Sequence, residues 1–133
     1  MLKLSRKVEY GLIAVKHIAV QRAGDILNAK EISEKYDIPY ELLSKILQRL
    51  AKEKVIASYQ GVKGGYTLAM NPNNLKISSL IEAIDGPQHI TGCMAGKDEL
   101  CNQYKTCIIK DPLAKVQLNI NGVFDKMTLS EII

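Results

Sequence analysis

Cys93, Cys101 and Cys107 are the only cysteines of this 133-residue chain, and they share one stretch at the spacing C-x7-C-x5-C. Thiolates are soft donors, and they select iron-sulfur clusters, zinc or cuprous copper over hard cations. The close C-x2-4-C pair that zinc usually takes is absent. Three thiols leave a fourth ligand position to some other group. A centre with one weaker ligand is more labile than a closed structural site, which suits a signal. An odd count makes no disulfide framework, and no signal peptide is recognisable, so the thiols are expected to be reduced and cytoplasmic. The plainer alternative is three unrelated thiols acting as small hydrophobes. His17 and His89, the two histidines, stand in no nucleophile or acid-base arrangement, so an enzyme is not expected.

No helical or strand period runs through the cysteine stretch. From Gly86-Pro87 to Asp111-Pro112 the series Gly92, Gly96, Asp98 and Asn102 reads as irregular backbone, a loop over residues 86–111 that a bound centre would order. The loop separates two regions of different charge. Residues 1–70 carry 12 Lys/Arg against 7 Asp/Glu, while residues 71–133 carry 6 against 7. The basic surplus therefore belongs to the first region, as expected of a surface that faces phosphates. With 47% apolar residues the chain can fill a core. No apolar run approaches membrane-spanning length. Aromatic residues are few and tryptophan is missing, which argues against stacking on single-stranded nucleic acid.

Residues 1–85 read as a winged helix-turn-helix. Leu4 to Ala19 forms a helix capped by Ser5, with Val8, Leu12, Val15 and Ala19 at a spacing of four, three and four. A second helix starts at Asn28, where Glu31 completes a capping box, and stops near Tyr36-Asp37. The third opens at Pro39 in the favoured first position and buries Leu43, Ile46, Leu47 and Leu50. Its other face, with Tyr40, Glu41, Ser44, Lys45, Gln48 and Lys52, is rich in hydrogen-bonding and cationic groups, as a helix entering the major groove requires. An ordinary three-helix packing unit would share this periodicity. The β-prone runs Val55 to Tyr59 and Tyr66 to Ala69 flank Gly61-Val62-Lys63-Gly64-Gly65, a glycine-rich hairpin tip that can lie on a DNA backbone. No G-x-x-x-x-G-K-[ST] pattern is present, so a nucleotide site is not expected.

After the Asn71-Pro72-Asn73-Asn74 turn, Ile77 to Ile84 is a short helix ended by Gly86. Residues 112–133 hold a long helix, capped by Asp111 with Pro112 in its first turn, and a closing capping box, Thr128-Leu129-Ser130-Glu131. Leu113, Val116, Ile120 and Val123 make an apolar stripe that can pack on its own domain or pair with a second copy. Each such side chain contributes roughly 1.5 to 3 kcal/mol when fully buried, so a paired stripe would hold a homodimer. The expected fold is mainly α with a small β-hairpin wing, a winged helix-turn-helix followed by a long C-terminal dimerisation helix.

Over essentially its whole length the chain resembles the iron-sulfur regulators of IscR and NsrR type, bacterial winged-helix transcription factors. The likeness rests on Leu4-Ser5 to Tyr10, the helix Pro39 to Leu50, the wing Gly61-x-x-Gly64-Gly65-Tyr66, the three cysteines and the closing Thr128 to Glu131. It implies a homodimer built on the long helix, with one 2Fe-2S or 4Fe-4S cluster per chain on Cys93, Cys101 and Cys107. Lys110 stands where IscR-like members carry a histidine ligand. Glu9 matches the first-helix carboxylate by which NsrR-like members complete the partner subunit's site, while His17 and His89 match no ligand position. The resemblance also implies a double-stranded operator. Tyr40, Ser44 and Lys45 are expected at base edges or adjacent phosphates, and Ser5, Lys7 and Arg49 at phosphates. Gln60 takes the place of an arginine common before the wing glycine, leaving Lys63, beside Gly64, to supply charge at the tip. Two alternatives stand beside this reading: a cluster-free regulator controlled by a protein partner or thiol oxidation, and an iron-sulfur redox protein.

Overall fold

The computed structural model describes residues 3–22, 24–96 and 98–133. Helix α1, Arg6–Ala19, starts at Ser5, whose Oγ accepts from the Val8 amide at 3.3 Å. Its buried face runs through Val8, Gly11, Ala14, Val15 and Ile18, with Leu12 and Ala19 packed on the flank of the core. Gly11 lets this helix approach closely, because a Cβ there would run into Ile84.

Helix α2, Ala29–Tyr36, is capped by Asn28, whose Oδ1 accepts from the Glu31 amide at 2.8 Å. The Glu31 carboxylate takes the Asn28 side-chain amide at 3.1 Å rather than the backbone amide that a capping box uses. Asp37 then turns the chain in the left-handed conformation, φ 53°. The turn is pinned by the Ile38 amide donating to Ser33 O at 3.0 Å and by the buried Ser33 hydroxyl donating to Ile38 O. Helix α3 is Tyr40–Lys52, and Pro39 is its N-cap instead of its first residue. A φ of −55° suits either position, but ψ of 123° is extended. Leu43, Ile46, Leu47 and Leu50 are all buried, as their spacing predicts.

Strands β1, Ile56–Tyr59, and β2, Gly65–Leu68, pair antiparallel with Ile56 opposite Leu68 and Tyr59 opposite Gly65. Leu27 adds a bridge to the outer side of β2, its amide donating to Tyr66 O at 3.0 Å and its carbonyl accepting from Tyr66 N at 2.8 Å. This bridge fastens the wing to the segment that leads into α2. Helix α4, Ile77–Asp85, ends at Gly86, φ +75°, and buries Ile77, Leu80, Ile81 and Ile84.

The described residues from there to Ile109 form a loop with three short 3-10 turns, Cys93–Ala95, Asp98–Leu100 and Tyr104–Thr106. Helix α5 is Lys110–Lys126. Asp111 was expected to cap it but lies in its first turn, where the carboxylate faces the positive end of the helix dipole. After α5 the chain returns to α4: Ile77 N donates to Met127 O at 2.9 Å and Leu129 N to Leu75 O at 2.8 Å. Leu129 is thereby fully buried in the core, and the Glu131 carboxylate accepts from Thr128 N at 2.8 Å, closing the anticipated capping box. The architecture is mainly α with one two-stranded hairpin. No helix of the described residues is long and apolar enough to cross a membrane.

Candidate DNA interface and cysteine loop

The polar face of α3 is open along its length. Tyr40 is 53% exposed, Lys45, Gln48, Arg49 and Lys52 are exposed, and Ser44 is half-buried with its Oγ accepting from Gln48 Nε2 at 3.3 Å. The Ser44 hydroxyl proton and the free Lys45 ammonium remain available to an acceptor. Arg49 is partly committed, since its Nε donates to Ala83 O at 2.7 Å, which points the rest of the guanidinium from a fixed base.

The wing stands beside the start of α3. Strand β1 packs against α3, and the Tyr66 phenol on β2 is pushed above its ordinary pKa by burial first and by the neighbouring Tyr40 second. Val62 at the tip is fully exposed, between Gly61 with φ +108° and the exposed Lys63. Gly64 must be glycine, because a Cβ would lie 2.5 Å from Tyr59 O and 2.9 Å from Gly61 O. Gln60 is exposed at the end of β1. At the start of α1, Lys7 is exposed, and Ser5 spends one acceptor lone pair on its cap and keeps its hydroxyl proton free.

On the loop the three thiols are free. Cys93 is half-buried with Sγ 3.1 Å from the Thr91 hydroxyl, Cys101 is exposed with a long 3.7 Å contact to Gln103 Oε1, and Cys107 is half-buried. As donors they fit a soft metal centre. Among the described residues no three His, Cys, Asp or Glu side chains lie together as a metal site, so closing one requires the loop to draw the thiols in. Lys110 is occupied elsewhere: its ammonium donates to Tyr104 O at 3.0 Å and sits 4.3 Å over the Tyr104 ring. Glu9 lies on the exposed side of α1 in an ion pair with Arg6 at 3.0 Å. An exposed pair of this kind holds its carboxylate weakly. His17 is committed to Tyr36, Nδ1 to hydroxyl 2.7 Å, and His89 lines a cleft with Leu4, Ile90 and Phe124.

Along the expected stripe of α5, Leu113 and Ile120 are half-buried, while Val116 and Val123 are 42% and 58% exposed. The residue that α5 buries is Gln117, which pattern reading passed over. Its Oε1 accepts from the Ile90 amide at 2.7 Å and its Nε2 donates to Asn121 Oδ1 at 2.9 Å. An amide spaced one helical turn from Asn121, beside apolar neighbours, was the available signal.

Comparison with known proteins agrees with this architecture. The model of the Rrf2 family, described as an iron-dependent transcriptional regulator, matches residues 4–133. The transcriptional regulator NsrR of Bacillus subtilis (strain 168) is 28% identical over 132 residues, covering 99% of this chain and 90% of the relative. Among solved structures, T. potens IscR superposes with a TM-score of 0.75 at 25% identity, over 98% of this chain and 85% of the other. The global cysteine regulator CymR of B. subtilis shares the fold, with a TM-score of 0.74 at 21% identity, over 99% and 96%.

Proposed function

This chain belongs to the Rrf2 family of transcriptional regulators, not of enzymes, and on that premise we propose that it is a homodimeric repressor whose operator binding is set by an iron-sulfur cluster. The observation that carries the reading is the pairing, in one chain, of an open cationic α3 beside an exposed wing with a loop of three free thiols. In this reading α3 enters the major groove with Tyr40, Ser44 and Lys45 at base edges. Lys7, Ser5 and the free nitrogens of Arg49 meet phosphates at its flanks, and Lys63 with the close-packed turn of Gln60 and Gly64 meets the backbone beyond. The two α5 helices pair through Leu113, Val116, Ile120 and Val123, fixing the distance between recognition helices and hence the half-site spacing.

Cys93, Cys101 and Cys107 would hold the cluster, with Glu9 of the partner subunit completing it, and such a centre supplies sensitivity to iron supply, oxidants or nitric oxide. The chain's own share is to bring the thiol loop against α5 and the start of α1. Glu9 leaves Arg6 to do so, at little cost for an exposed pair. Drawing the loop in would shift the seat of α1, next to α3 in the core.

The test is a visible spectrum with iron and sulfide counts on chain purified without oxygen, followed by binding to duplexes selected from a randomised pool. A charge-transfer spectrum, an iron count matching a 2Fe-2S or 4Fe-4S cluster, and affinity that changes with cluster removal are expected. A colourless chain that takes up no iron on reconstitution but still binds duplex DNA would favour the second reading, a cluster-free regulator governed by thiol oxidation. The exposure of Cys101 supports that reading. Cluster without duplex binding in either state would instead indicate a redox protein.

A further inference from the structure

Helix α5 is seated on its own domain in an unusual way. Of its 17 residues only Gln117 is buried, 8% exposed, and apart from Phe124 near its end the helix brings no side chain to the core. A carboxamide is an expensive anchor unless every polar atom is bonded. Here both sides are bonded, by the Ile90 amide at 2.7 Å and by Asn121 at 2.9 Å. No buried side-chain nitrogen or oxygen of the described residues lacks a partner.

The group that Gln117 holds is what gives the contact a direction. Ile90 belongs to the first stretch of the cysteine loop, and the next residue, Thr91, bonds the thiol of Cys93 at 3.1 Å. A short series of hydrogen bonds thus runs from Cys93 through Thr91 and the Ile90 backbone to the middle of α5. Where it meets the helix, Ile90, Gln117, Ile120 and Phe124 wall a cleft of about 490 Å³ together with Lys3 and Leu4, the residues that lead into α1. A rearrangement that draws Cys93 toward the other thiols pulls on a segment whose amide is clamped to α5, beside the start of α1.

Resting on the cluster-dependent reading above, we propose that Gln117 is a positioning residue: it is the latch that converts ligation of Cys93 into a change in how α5 sits on the winged half, and so into operator affinity. It touches neither the thiols nor the DNA. Its role is to make the loop and the helix move as one body.

The test compares wild type, Gln117→Leu and Gln117→Glu, each with its cluster reconstituted from ferrous iron and sulfide and after its removal. Readouts are iron content and affinity for the best duplex from a randomised pool. Leucine keeps the bulk and loses the acceptor, whereas glutamate keeps an oxygen for the Ile90 amide. Wild type is expected to show a loaded-to-empty affinity ratio in the usual range of allosteric coupling, about 5- to 150-fold. Gln117→Leu should hold as much iron as wild type with a ratio within about twofold of one, and Gln117→Glu should restore most of it. A leucine variant that keeps the wild-type ratio overturns the latch and leaves the cluster-dependent reading standing. A wild type that itself shows no ratio overturns both.

A measurement on wild type alone covers the case in which the leucine variant does not fold. Hydrogen exchange should show the Ile90 amide protected alike in loaded and empty chains, since the latch holds in both, while the Ile77 amide, which donates to Met127 O at the end of α5, should change by about tenfold or more as the helix reseats. Loss of Ile90 protection in one state, or an unchanged Ile77 amide, overturns the proposal.

Discussion

Among the described residues, every buried apolar side chain except Leu129 lies between Val8 and Ile84, whereas none of the residues from Gly86 to Ile109 is buried. The first region closes α1, α3 and α4 around Leu43, Leu47, Leu50 and Leu80. The second leaves Leu100 81% and Ile108 90% exposed and keeps its three cysteines unbonded to one another. The difference teaches where a two-part regulator places its free energy. On the proposed reading, a DNA-reading head must present Tyr40, Lys45 and Lys63 in fixed relation, and a packed core supplies that. On the same reading a sensing loop must rearrange when its ligand arrives, and segments with few buried apolar contacts open at low free-energy cost.

The contrast would break first in stability. Leu47→Ala, at a fully buried position of α3, should cost about 3 kcal/mol in a denaturant titration, since truncating a core leucine loses both transfer free energy and packing. Leu100→Ala on the loop should cost under about 0.5 kcal/mol. Equal losses would mean that the loop is as much a part of the folded core as α3 is. A smaller effect is expected at the seam between wing and body. A methyl at Gly65 would lie 2.5 Å from Leu27 O, a backbone atom that cannot swing away. Gly65→Ala should therefore lose the bridge between Leu27 and Tyr66, cost about 1–3 kcal/mol, and weaken duplex binding with the loop thiols as reactive as before. A fall in thiol reactivity would show that the two regions are not separable.

The packed region was largely legible because its signals are local and periodic. The stripe Leu43 to Leu50, the Ser5 and Asn28 caps and the glycine-rich wing each follow from spacing or turn chemistry, and each stands where expected. Errors fell at ends, where one dihedral decides. Pro39 has the φ of a first helical residue and the ψ of a cap, and Asp111 sits inside the helix it was expected to begin. Elsewhere the misses were of contacts made over long sequence separation. Nothing local shows that Leu129 plugs the core beside α4, that Leu27 pairs with Tyr66, or that the buried residue of α5 is Gln117 in place of an apolar one. The cysteine types and their common loop were plain from sequence. Their distances were not, since irregular backbone has no period from which to infer one.

On the DNA side a finer distinction separates wing tip from helix. Lys63 is exposed at the wing tip beside Val62, so Lys63→Ala should weaken every duplex alike and reduce the salt slope by about one unit. Lys45→Ala, next to Ser44 on α3, should instead relax sequence preference. Selection from a randomised pool at two salt concentrations reads both quantities. Loss of preference from the tip, with the helix indifferent, would invert the assignment of α3 as the reader.

The smallest expected effect lies within the packed region, at the contact between α1 and α2. His17 is held below its ordinary pKa by partial burial first and by Lys35 second, with Glu31 opposing, and its ring meets Tyr36 at 5.2 Å, edge to face. The unfolded chain therefore takes up a proton near the ordinary histidine value of about 6.5 while the folded chain still resists it. Through that window the unfolded state binds more protons, so stability is complete above it and declines as pH falls toward the folded-state pKa. Replacing the ring by His17→Gln should flatten the melting temperature against pH over roughly pH 7 to 5, without altering thiol reactivity on the loop. A wild-type curve that rises on acidification through that window would mean the folded state favours the imidazolium, and that His17 faces the Glu31 carboxylate more closely than it faces Lys35.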